Sequence, residues 1–296
     1  MSAESSTSEP WTVRRILEWT TQYLKQNGSE SPRLEAEILL AHARQTPRIK
    51  LYTEFDEVLT DAVRGKMRDL VKRRANREPV AYLVGHREFF SLSFEVAPGV
   101  FIPRPDTETL VMETLTLAKG MPSPRILELC TGSGCISVSL AVNLPAAQIT
   151  AIELEDVPFA IAQKNAEKHR VRNRIDFRQG NLFAPVAAGE QFDFIVSNPP
   201  YIPDGEIPTL EPEVSKHEPR AALAGGGDGL DVIRKLAAET PQFLKPGGYL
   251  LFELSPEQAP AAQQLFIDKP DEYETPTAHN DLTKAPRVIR VQRRSR

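Results

Sequence analysis

Two different spacings of apolar residues divide the chain into a helical first part and a mixed second part. From Trp11 to about Arg77, apolar side chains recur every three or four residues, the period of one helix face. Ser31-Pro32 predicts an N-cap followed by a proline at the first position of a helix. We therefore predict a disordered tail at residues 1–10 and a small all-α domain of three to five helices at residues 11–78.

A segment in which apolar and polar residues alternate strictly follows this helical part. Phe90, Leu92, Phe94 and Val96 are separated by polar residues, which is typical of a half-buried strand. The preceding run Ala81–Val84 would supply the second strand of a short hairpin. Residues 79–105 are accordingly predicted to be a β-hairpin linker that ends in a proline-stiffened loop.

Strands and helices alternate from about Glu108 onward, which predicts a doubly wound, Rossmann-like α/β domain at residues 106–296. A late pair of strands, near Tyr273–Thr275 and Val288–Gln292, has no helix between its members. We expect an antiparallel final hairpin on an otherwise parallel sheet. The other candidate strands are Arg125–Leu129, Gln148–Glu153, Arg174–Arg178, Phe192–Ser197 and Gly248–Glu253.

The composition of the 296 residues is that of a soluble globular protein, with 41% apolar and 26% charged residues. No run of 18 apolar residues occurs, and the N-terminus has neither a basic nor an apolar region. These features predict a cytoplasmic protein without a secretory signal or a membrane span. Cys130 and Cys135 are too few for a disulfide framework or a zinc site, so no metal is expected.

The net charge of −4 argues against extensive contact with nucleic acid, and residues 101–296 hold 21 basic against 26 acidic side chains. Two segments are locally basic. Residues 64–77 contain seven basic residues and one acid, and residues 287–296 contain five arginines and no acid. A solvated surface is the favoured interpretation, and a docking surface for an acidic or RNA-bearing partner is the alternative.

The segment Asn198-Pro199-Pro200-Tyr201 follows a predicted buried strand directly. Ligands of open α/β sheets bind at the carboxyl ends of the strands. The Asn side chain offers an acceptor oxygen, the two prolines have no N–H, and the Tyr ring can cover a flat group. Together they predict a site for a planar primary amine or amide.

A second motif indicates the cofactor. Gly132 and Gly134 follow the first predicted strand in a G-x-G pattern without a third glycine, which an ordinary glycine turn would also explain. Glu153 ends the next strand, where a carboxylate can accept hydrogen bonds from both ribose hydroxyls. S-adenosylmethionine has a ribose but no pyrophosphate, so it is favoured over NAD. With the amine site, these residues predict an S-adenosylmethionine-dependent N-methyltransferase.

The chain as a whole closely resembles the release-factor glutamine N5-methyltransferases, which are class I methyltransferases. The resemblance extends over nearly the full length, and its combination of motifs is specific. It rests on the segments Ser31–Ala41, Arg77–Phe89, Ile102–Glu108, Thr131–Gly134, Ser197–Ile202 and His217–Arg220.

The resemblance implies that the substrate is the glutamine of the Gly-Gly-Gln motif in peptide chain release factors, and that the helical domain helps to dock that protein. It implies catalytic roles for Asn198, Pro199 and Tyr201. The implied cofactor contacts are Cys130, Thr131, Gly132, Ser133, Gly134, Glu153, Asn181, Leu182 and Asn198. The implied substrate contacts are Asn198, Pro199, Pro200, Tyr201 and Arg104.

The sequence departs from the family pattern at several of these positions. Glu128, Glu153 and Asn181 stand where Asp is usual, and Cys130 replaces a common glycine. The late segment Asp281–Arg287 lacks the usual glycine.

The mechanistic hypothesis is that Asn198 and Pro199 each accept one hydrogen of the substrate amide while Tyr201 covers it, without a histidine base. We expect a monomer with no direct nucleic-acid contact. Three alternatives stay open: a glutamine of a large-subunit ribosomal protein, an amino group of a nucleic-acid base, and a module that binds but does not catalyse. Gly225–Gly229 is interpreted as a flexible hinge rather than a phosphate cradle.

Overall fold

The computed structural model describes residues 9–295, so most of the tail predicted at residues 1–10 lies outside the described residues. The chain divides into two compact units, with the boundary between Gly85 and His86.

The first unit is helical, as its apolar period predicts. Thr12 caps the first helix by accepting a hydrogen bond from the Arg15 N–H at 3.3 Å, and Pro32 opens the second helix. The apolar faces meet in one core that includes Leu17, Leu24 and Leu39. The helices are α1 (Val13–Gln26), α2 (Pro32–Arg44), α3 (Lys50–Thr53), α4 (Asp61–Ala75) and α5 (Val80–Val84).

The prediction that Ala81–Val84 form a strand is wrong, because these residues belong to α5. All four are buried, and a short, continuously apolar run does not distinguish a buried helix from a buried strand. Gly85, at φ 81°, ends the helix in the left-handed region.

The second unit begins with the hairpin of β1 (His86–Phe89) and β2 (Leu92–Glu95). Phe90 and Ser91 form its turn with φ of 49° and 60°, a two-residue connection with both residues in the left-handed region. The alternating segment predicted from Phe90 therefore enters the strand only at Leu92.

A seven-stranded sheet forms the centre of the second unit, in the order β5-β4-β3-β6-β7-β9-β8. The strands from β3 to β7 are parallel, and β9 runs antiparallel to both β7 and β8. The predicted doubly wound α/β fold with an antiparallel end is confirmed. The strands are β3 (Arg125–Leu129), β4 (Gln148–Glu153), β5 (Ile175–Gln179), β6 (Phe192–Ser197), β7 (Leu244–Glu253), β8 (Thr277–Asn280) and β9 (Pro286–Gln292).

The strand predicted near Tyr273–Thr275 begins later, at Thr277, and Tyr273 makes only an isolated bridge to Arg293. The buried Tyr273 ring instead packs edge-to-face on Phe266, at 5.1 Å between ring centroids. Packing of the ring beneath the sheet, rather than strand pairing, thus explains the apolar signal at this position.

Helices cover the sheet, and successive residues of the central strands face opposite sides of it. In β3, Leu127 and Leu129 join one apolar cluster and Ile126 joins the other. The helices are α6 (Glu108–Ala118), α7 (Cys135–Asn143), α8 (Asp156–Lys168), α9 (Pro212–His217), α10 (Asp231–Phe243) and α11 (Ala259–Ile267). No helix in residues 9–295 has the length and apolar character to cross a membrane.

The chain order reverses between β3 and β6, since β4 and β5 lie on one side of β3 and β6 and β7 on the other. In such a sheet, a crevice forms at the carboxyl ends of the strands next to the reversal. The segments that leave β3, β4 and β6 therefore meet at one edge.

Candidate active site

A cavity of about 230 Å³ lies at this edge of the second unit. Of the site residues predicted from sequence, all line the cavity except Gly134 and Arg104. The residues in its lining are Cys130, Thr131, Gly132, Ser133, Glu153, Asn181, Leu182, Asn198, Pro199, Pro200 and Tyr201.

The turn after β3 is tight enough to require unusual backbone angles. Cys130, Gly132 and Gly134 have φ of 60°, 59° and 78°, all in the left-handed region. A side chain at Gly134 would place its Cβ 3.1 Å from the Cβ of Ala162 on α8. Gly134 therefore permits close packing of α7 on α8, whereas its neighbours face the cavity. The positive φ of Cys130 explains why a glycine would suit that position.

Glu153 connects two of the loops that form the cavity. Its Oε2 accepts a hydrogen bond from the Gly132 N–H at 2.7 Å, and its Oε1 accepts from the N–H groups of Leu154 and Glu155 at 2.8 and 3.1 Å. The side chain is only 8% exposed. Oε2 makes a single hydrogen bond and so retains capacity for a ligand hydroxyl.

Glu128 lies beneath the same turn and is fully buried. Its Oε2 accepts from the Ser137 N–H at 3.2 Å, while Oε1 has no hydrogen-bond partner within the described chain. Burial raises the pKa of Glu128 to about 8, and the nearby Glu153 carboxylate acts in the same direction.

The loops that follow β4 and β5 contribute apolar side chains and one amide to the cavity lining. Leu182, with φ 48°, follows β5 and is buried, whereas its neighbour Asn181 is exposed. Leu154 and Pro158 complete this part of the lining. An apolar slot with one amide at its rim suits a flat heterocycle.

Asn198 leaves β6 at the point where the sheet order reverses. Its Nδ2 donates a hydrogen bond to Thr107 Oγ1 at 3.1 Å, and Thr107 itself is buried and lines the cavity. This contact engages the donor end of the amide and leaves the side-chain oxygen for another donor. Pro199 and Pro200 add carbonyl groups and no N–H, so the segment Asn198–Tyr201 forms an acceptor corner of the cavity.

Tyr201 is anchored by a buried carboxylate that the sequence motifs did not indicate. Its hydroxyl donates to Glu253 Oε1 at 3.1 Å, and Glu253 is the last residue of β7. Burial raises the pKa of Tyr201 and that of Glu253. Hydrogen bonding with Thr107 and Tyr201, and the charge of Arg287, lower the pKa of Glu253 in turn. Within the described residues, Glu253 Oε2 has no hydrogen-bond partner of regular geometry.

The segment Gly225–Gly229, interpreted from sequence as a hinge, is packed against the backbone of Tyr201. A side chain at Gly229, where φ is 77°, would place its Cβ 2.1 Å from the Tyr201 carbonyl oxygen. The Gly225 N–H donates to the Ile202 carbonyl at 2.9 Å, and Gln258 Nε2 donates to the Tyr201 carbonyl at 2.7 Å. The segment supports the main chain that carries the acceptor corner.

Arg104 has a different environment from the one expected of a substrate contact. Its guanidinium pairs with Glu218, a buried carboxylate that also accepts from the Ile102 N–H at 3.1 Å. The same guanidinium lies 4.7 Å from the centre of the Phe101 ring. Phe101 and Pro103, rather than Arg104, line the cavity, so the sequence motif located the correct loop but not the lining side chains.

Thr107 and Glu253 are the polar residues of the acceptor corner that the sequence did not identify. Thr107 lies within the Ile102–Glu108 motif, which was a usable signal. Glu253 ends an apolar strand and carries no motif, and only the sheet order brings it beside Tyr201.

The fold and the site together define a class of protein. A sheet with five parallel strands and an antiparallel β9, a glycine turn after β3, an acidic residue ending β4 and an acceptor corner after β6 are the features of a class I methyltransferase. Residues 9–295 contain no cluster of His, Cys, Asp and Glu arranged to hold a metal ion.

Comparison with known proteins agrees with this class and identifies a family within it. Residues 15–85 match the PrmC N-terminal domain, and residues 91–216 match the methyltransferase small domain. A release factor glutamine methyltransferase of Rhodopirellula baltica is 43% identical over 98% of this chain and 99% of its own length. The enzyme of that name from Geobacter sulfurreducens is 45% identical over 87% of this chain and 89% of its own.

A solved methyltransferase structure from Pyrococcus furiosus has the same fold, with a TM-score of 0.54 at 19% identity, over 76% of this chain and 99% of that one. The sequence relatives identify the family as well as the fold. The chain belongs to the release factor glutamine methyltransferase family, and the resemblance inferred from its motifs is confirmed.

Proposed function

We propose that the protein transfers a methyl group from S-adenosylmethionine to the side-chain amide nitrogen of the glutamine in the Gly-Gly-Gln motif of peptide chain release factors. Its family membership and the names of its relatives support this substrate. The observation that carries the chemistry is the acceptor corner of Asn198 and Pro199, which lies on the cavity that Glu153 also borders.

The residues around the cavity suit S-adenosylmethionine. Glu153 Oε2 retains acceptor capacity for a ribose hydroxyl, and the apolar part of the lining with Leu154, Leu182 and the Asn181 amide suits an adenine. The lining between Cys130 and Ser133 lets a ligand approach the main chain closely, and S-adenosylmethionine, which has no phosphate, does not require the third glycine of a dinucleotide site. When bound, this cofactor supplies an electrophilic methyl group on a positively charged sulfur.

The chain's own residues act on the amide that receives the methyl group. An amide nitrogen is a weak nucleophile because its lone pair is delocalised into the carbonyl group. In the proposal, the Asn198 oxygen and the Pro199 carbonyl each accept one N–H, which orients the nitrogen and stabilises the positive charge that develops on it. Orientation of this kind contributes up to about 7–11 kcal/mol in well-aligned model reactions.

The helical first unit is proposed to dock the release factor, in agreement with the match to the PrmC N-terminal domain. We propose further that the protein acts as a monomer in the cytoplasm, where release factors function. The acidic net charge of −4 supports a protein substrate rather than an extended contact with nucleic acid.

The test is methyl transfer from radiolabelled S-adenosylmethionine to purified release factor. The matched substrate is the same release factor with its Gly-Gly-Gln glutamine changed to alanine. We expect label in the first and none in the second, and at least a hundredfold slower labelling by the Asn198→Ala variant. Label that appears only in ribosomal protein or nucleic acid would contradict the proposed substrate, and equal labelling by Asn198→Ala would contradict the mechanism.

A further inference from the structure

The orientation of the Asn198 side chain decides whether the acceptor corner can work. A primary amide has an acceptor oxygen at one end and a donor NH2 at the other, with nearly the same shape. An amide reversed by a half-turn would present hydrogens to the hydrogens of the substrate amide. The proposed reaction therefore requires neighbouring residues that fix this orientation by hydrogen bonding.

Thr107 is the first of these neighbouring residues. Its Oγ1 accepts a hydrogen bond from Asn198 Nδ2 at 3.1 Å, which turns the Asn198 oxygen away from Thr107. A hydroxyl group can accept or donate, so Thr107 alone would permit either orientation of the amide. The direction of its own O–H bond must be determined by another group.

Glu253 is the group that determines the direction of the Thr107 O–H bond. A carboxylate has no hydrogen to donate, so a neighbouring hydroxyl must donate to it. Tyr201 already donates to Glu253 Oε1 at 3.1 Å. Oε2 is buried and has no hydrogen-bond partner of regular geometry within the described chain, and Thr107 lies close enough for its hydroxyl to lower the pKa of Glu253.

This role requires Glu253 to be a carboxylate, the form that the charge of Arg287 favours and that burial and the nearby Asp106 oppose. Arg287 lies on the neighbouring strand β9, where its guanidinium contacts Asp281 and Asp106 at 3.2 and 3.3 Å. Its positive charge acts on Glu253 across the pair of strands β7 and β9. Because Glu253 is 1% exposed, bulk solvent does not reach its carboxylate.

We propose that Thr107 and Glu253 are positioning residues that fix the Asn198 amide with its oxygen toward the substrate. The Glu253 carboxylate takes the Thr107 hydrogen, the Thr107 oxygen then takes a hydrogen from Asn198 Nδ2, and the Asn198 oxygen is left facing the cavity. Tyr201 is held by the same carboxylate, so one buried charge aligns both sides of the acceptor corner. This inference rests on the proposed function, since it concerns the orientation of the glutamine amide.

The experiment compares Thr107→Val, Thr107→Ser and Glu253→Gln with wild type in the release factor assay. Valine has nearly the shape of threonine but no hydroxyl, whereas serine retains the hydroxyl. Glutamine at 253 can donate as well as accept, so it permits the reversed direction of hydrogen bonding. We expect kcat to fall by about tenfold to a hundredfold in Thr107→Val and Glu253→Gln, and Thr107→Ser to restore most of it.

Thr114→Val is the matched control for the loss of a buried hydroxyl. Thr114 is fully buried on α6 and donates to the Leu110 carbonyl at 2.8 Å, away from the cavity lining. Its kcat should stay within about twofold of wild type. The dissociation constant of S-adenosylhomocysteine, measured by calorimetry, should change little in all variants, because the lining formed by Cys130–Ser133, Glu153 and Leu182 is not altered.

The outcomes separate this inference from the proposed function. If wild type does not methylate release factor, the proposed function fails first. If wild type is active and Thr107→Val retains wild-type kcat, the positioning role is wrong while the function stands. Equal losses in Thr107→Val and Thr114→Val, or weaker binding of S-adenosylhomocysteine, would show a general structural effect and would also overturn the inference.

Discussion

At the scale of single residues, the sequence indicates the side chains that belong to a motif and misses the buried side chains that contact them. Asn198 and Glu153 were predicted because they end strands at the reversal of the sheet order. Glu253 ends a strand as well, but its neighbours along the chain are apolar and carry no signal. Its contact with Tyr201 joins residues 52 positions apart, which a linear pattern does not reveal.

Burial of Glu128 predicts a pH-dependent cost to stability. Its pKa is raised from 4.5 to about 8 by burial, so between these values the folded protein retains a proton that the unfolded chain releases. The stability that this proton confers is complete below pH 4.5 and is lost as the pH rises through 8. Glu128→Gln has no such ionisation.

We therefore expect the difference in free energy of unfolding, Glu128→Gln minus wild type, to increase by more than ~1 kcal/mol as the pH rises from about 5 to 8. Urea unfolding of both proteins at pH 5, 6.5 and 8 measures this difference. A constant difference between the two proteins across these pH values would show that Glu128 is ionised throughout.

At the scale of elements, periodicity predicted most of the helices and the strands of the central sheet. It failed where a run is short and buried on all sides, as in α5, or where packing of a single ring resembles a strand, as at Tyr273. The interpretation of Gly225–Gly229 as a hinge did not include its close contact with Tyr201, because glycine has the same sequence signature in a mobile loop and in a close backbone contact. Only the structure reveals that Tyr201 lies against this segment.

Close packing of Gly229 predicts a severe effect of a single methyl group. Gly229→Ala would place a Cβ 2.1 Å from the Tyr201 carbonyl oxygen at a φ of 77°, so the main chain that carries the acceptor corner must move. We expect kcat for release factor methylation to fall at least tenfold. Gly227→Ala is the matched control, since an added Cβ there meets nothing within 4 Å, and its kcat should equal that of wild type. Similar kcat values for the two variants would argue against a supporting role of this segment.

At the scale of the whole molecule, the sequence predicted a helical part and an α/β part, and the chain divides into two units with the boundary at Gly85. The order of the sheet strands was not predicted, because alternation of strands and helices gives the fold class but not which strands are neighbours. The cavity depends on that order, since the reversal between β3 and β6 creates the crevice.

The first unit presents an aromatic surface that suits the proposed docking of a protein substrate. Trp19 is 50% exposed and stacks on Tyr23, with 5.0 Å between ring centroids and 10° between ring planes. Exposed, rigid aromatic side chains are frequent energetic centres of protein interfaces.

We expect Trp19→Ala to raise KM for release factor by about tenfold, which corresponds to ~1.4 kcal/mol, with little change in kcat. Steady-state kinetics with varied release factor measures both constants. Met112→Ala, which removes a similarly exposed apolar side chain from the second unit, is the control and should leave KM unchanged. An unaltered KM in Trp19→Ala would exclude this surface from docking.

The carboxylate of Glu153 has a consequence for how the protein tolerates evolutionary change. It receives three main-chain N–H groups from two separate loops, so one wall of the cavity is assembled from groups that every residue type except proline possesses. The side chains of Leu154 and Glu155 can then change in identity while the wall keeps its shape, whereas the positive φ of Gly132 favours glycine. A lineage can in this way retain one reaction at this edge of the sheet while most of the surrounding sequence is exchanged.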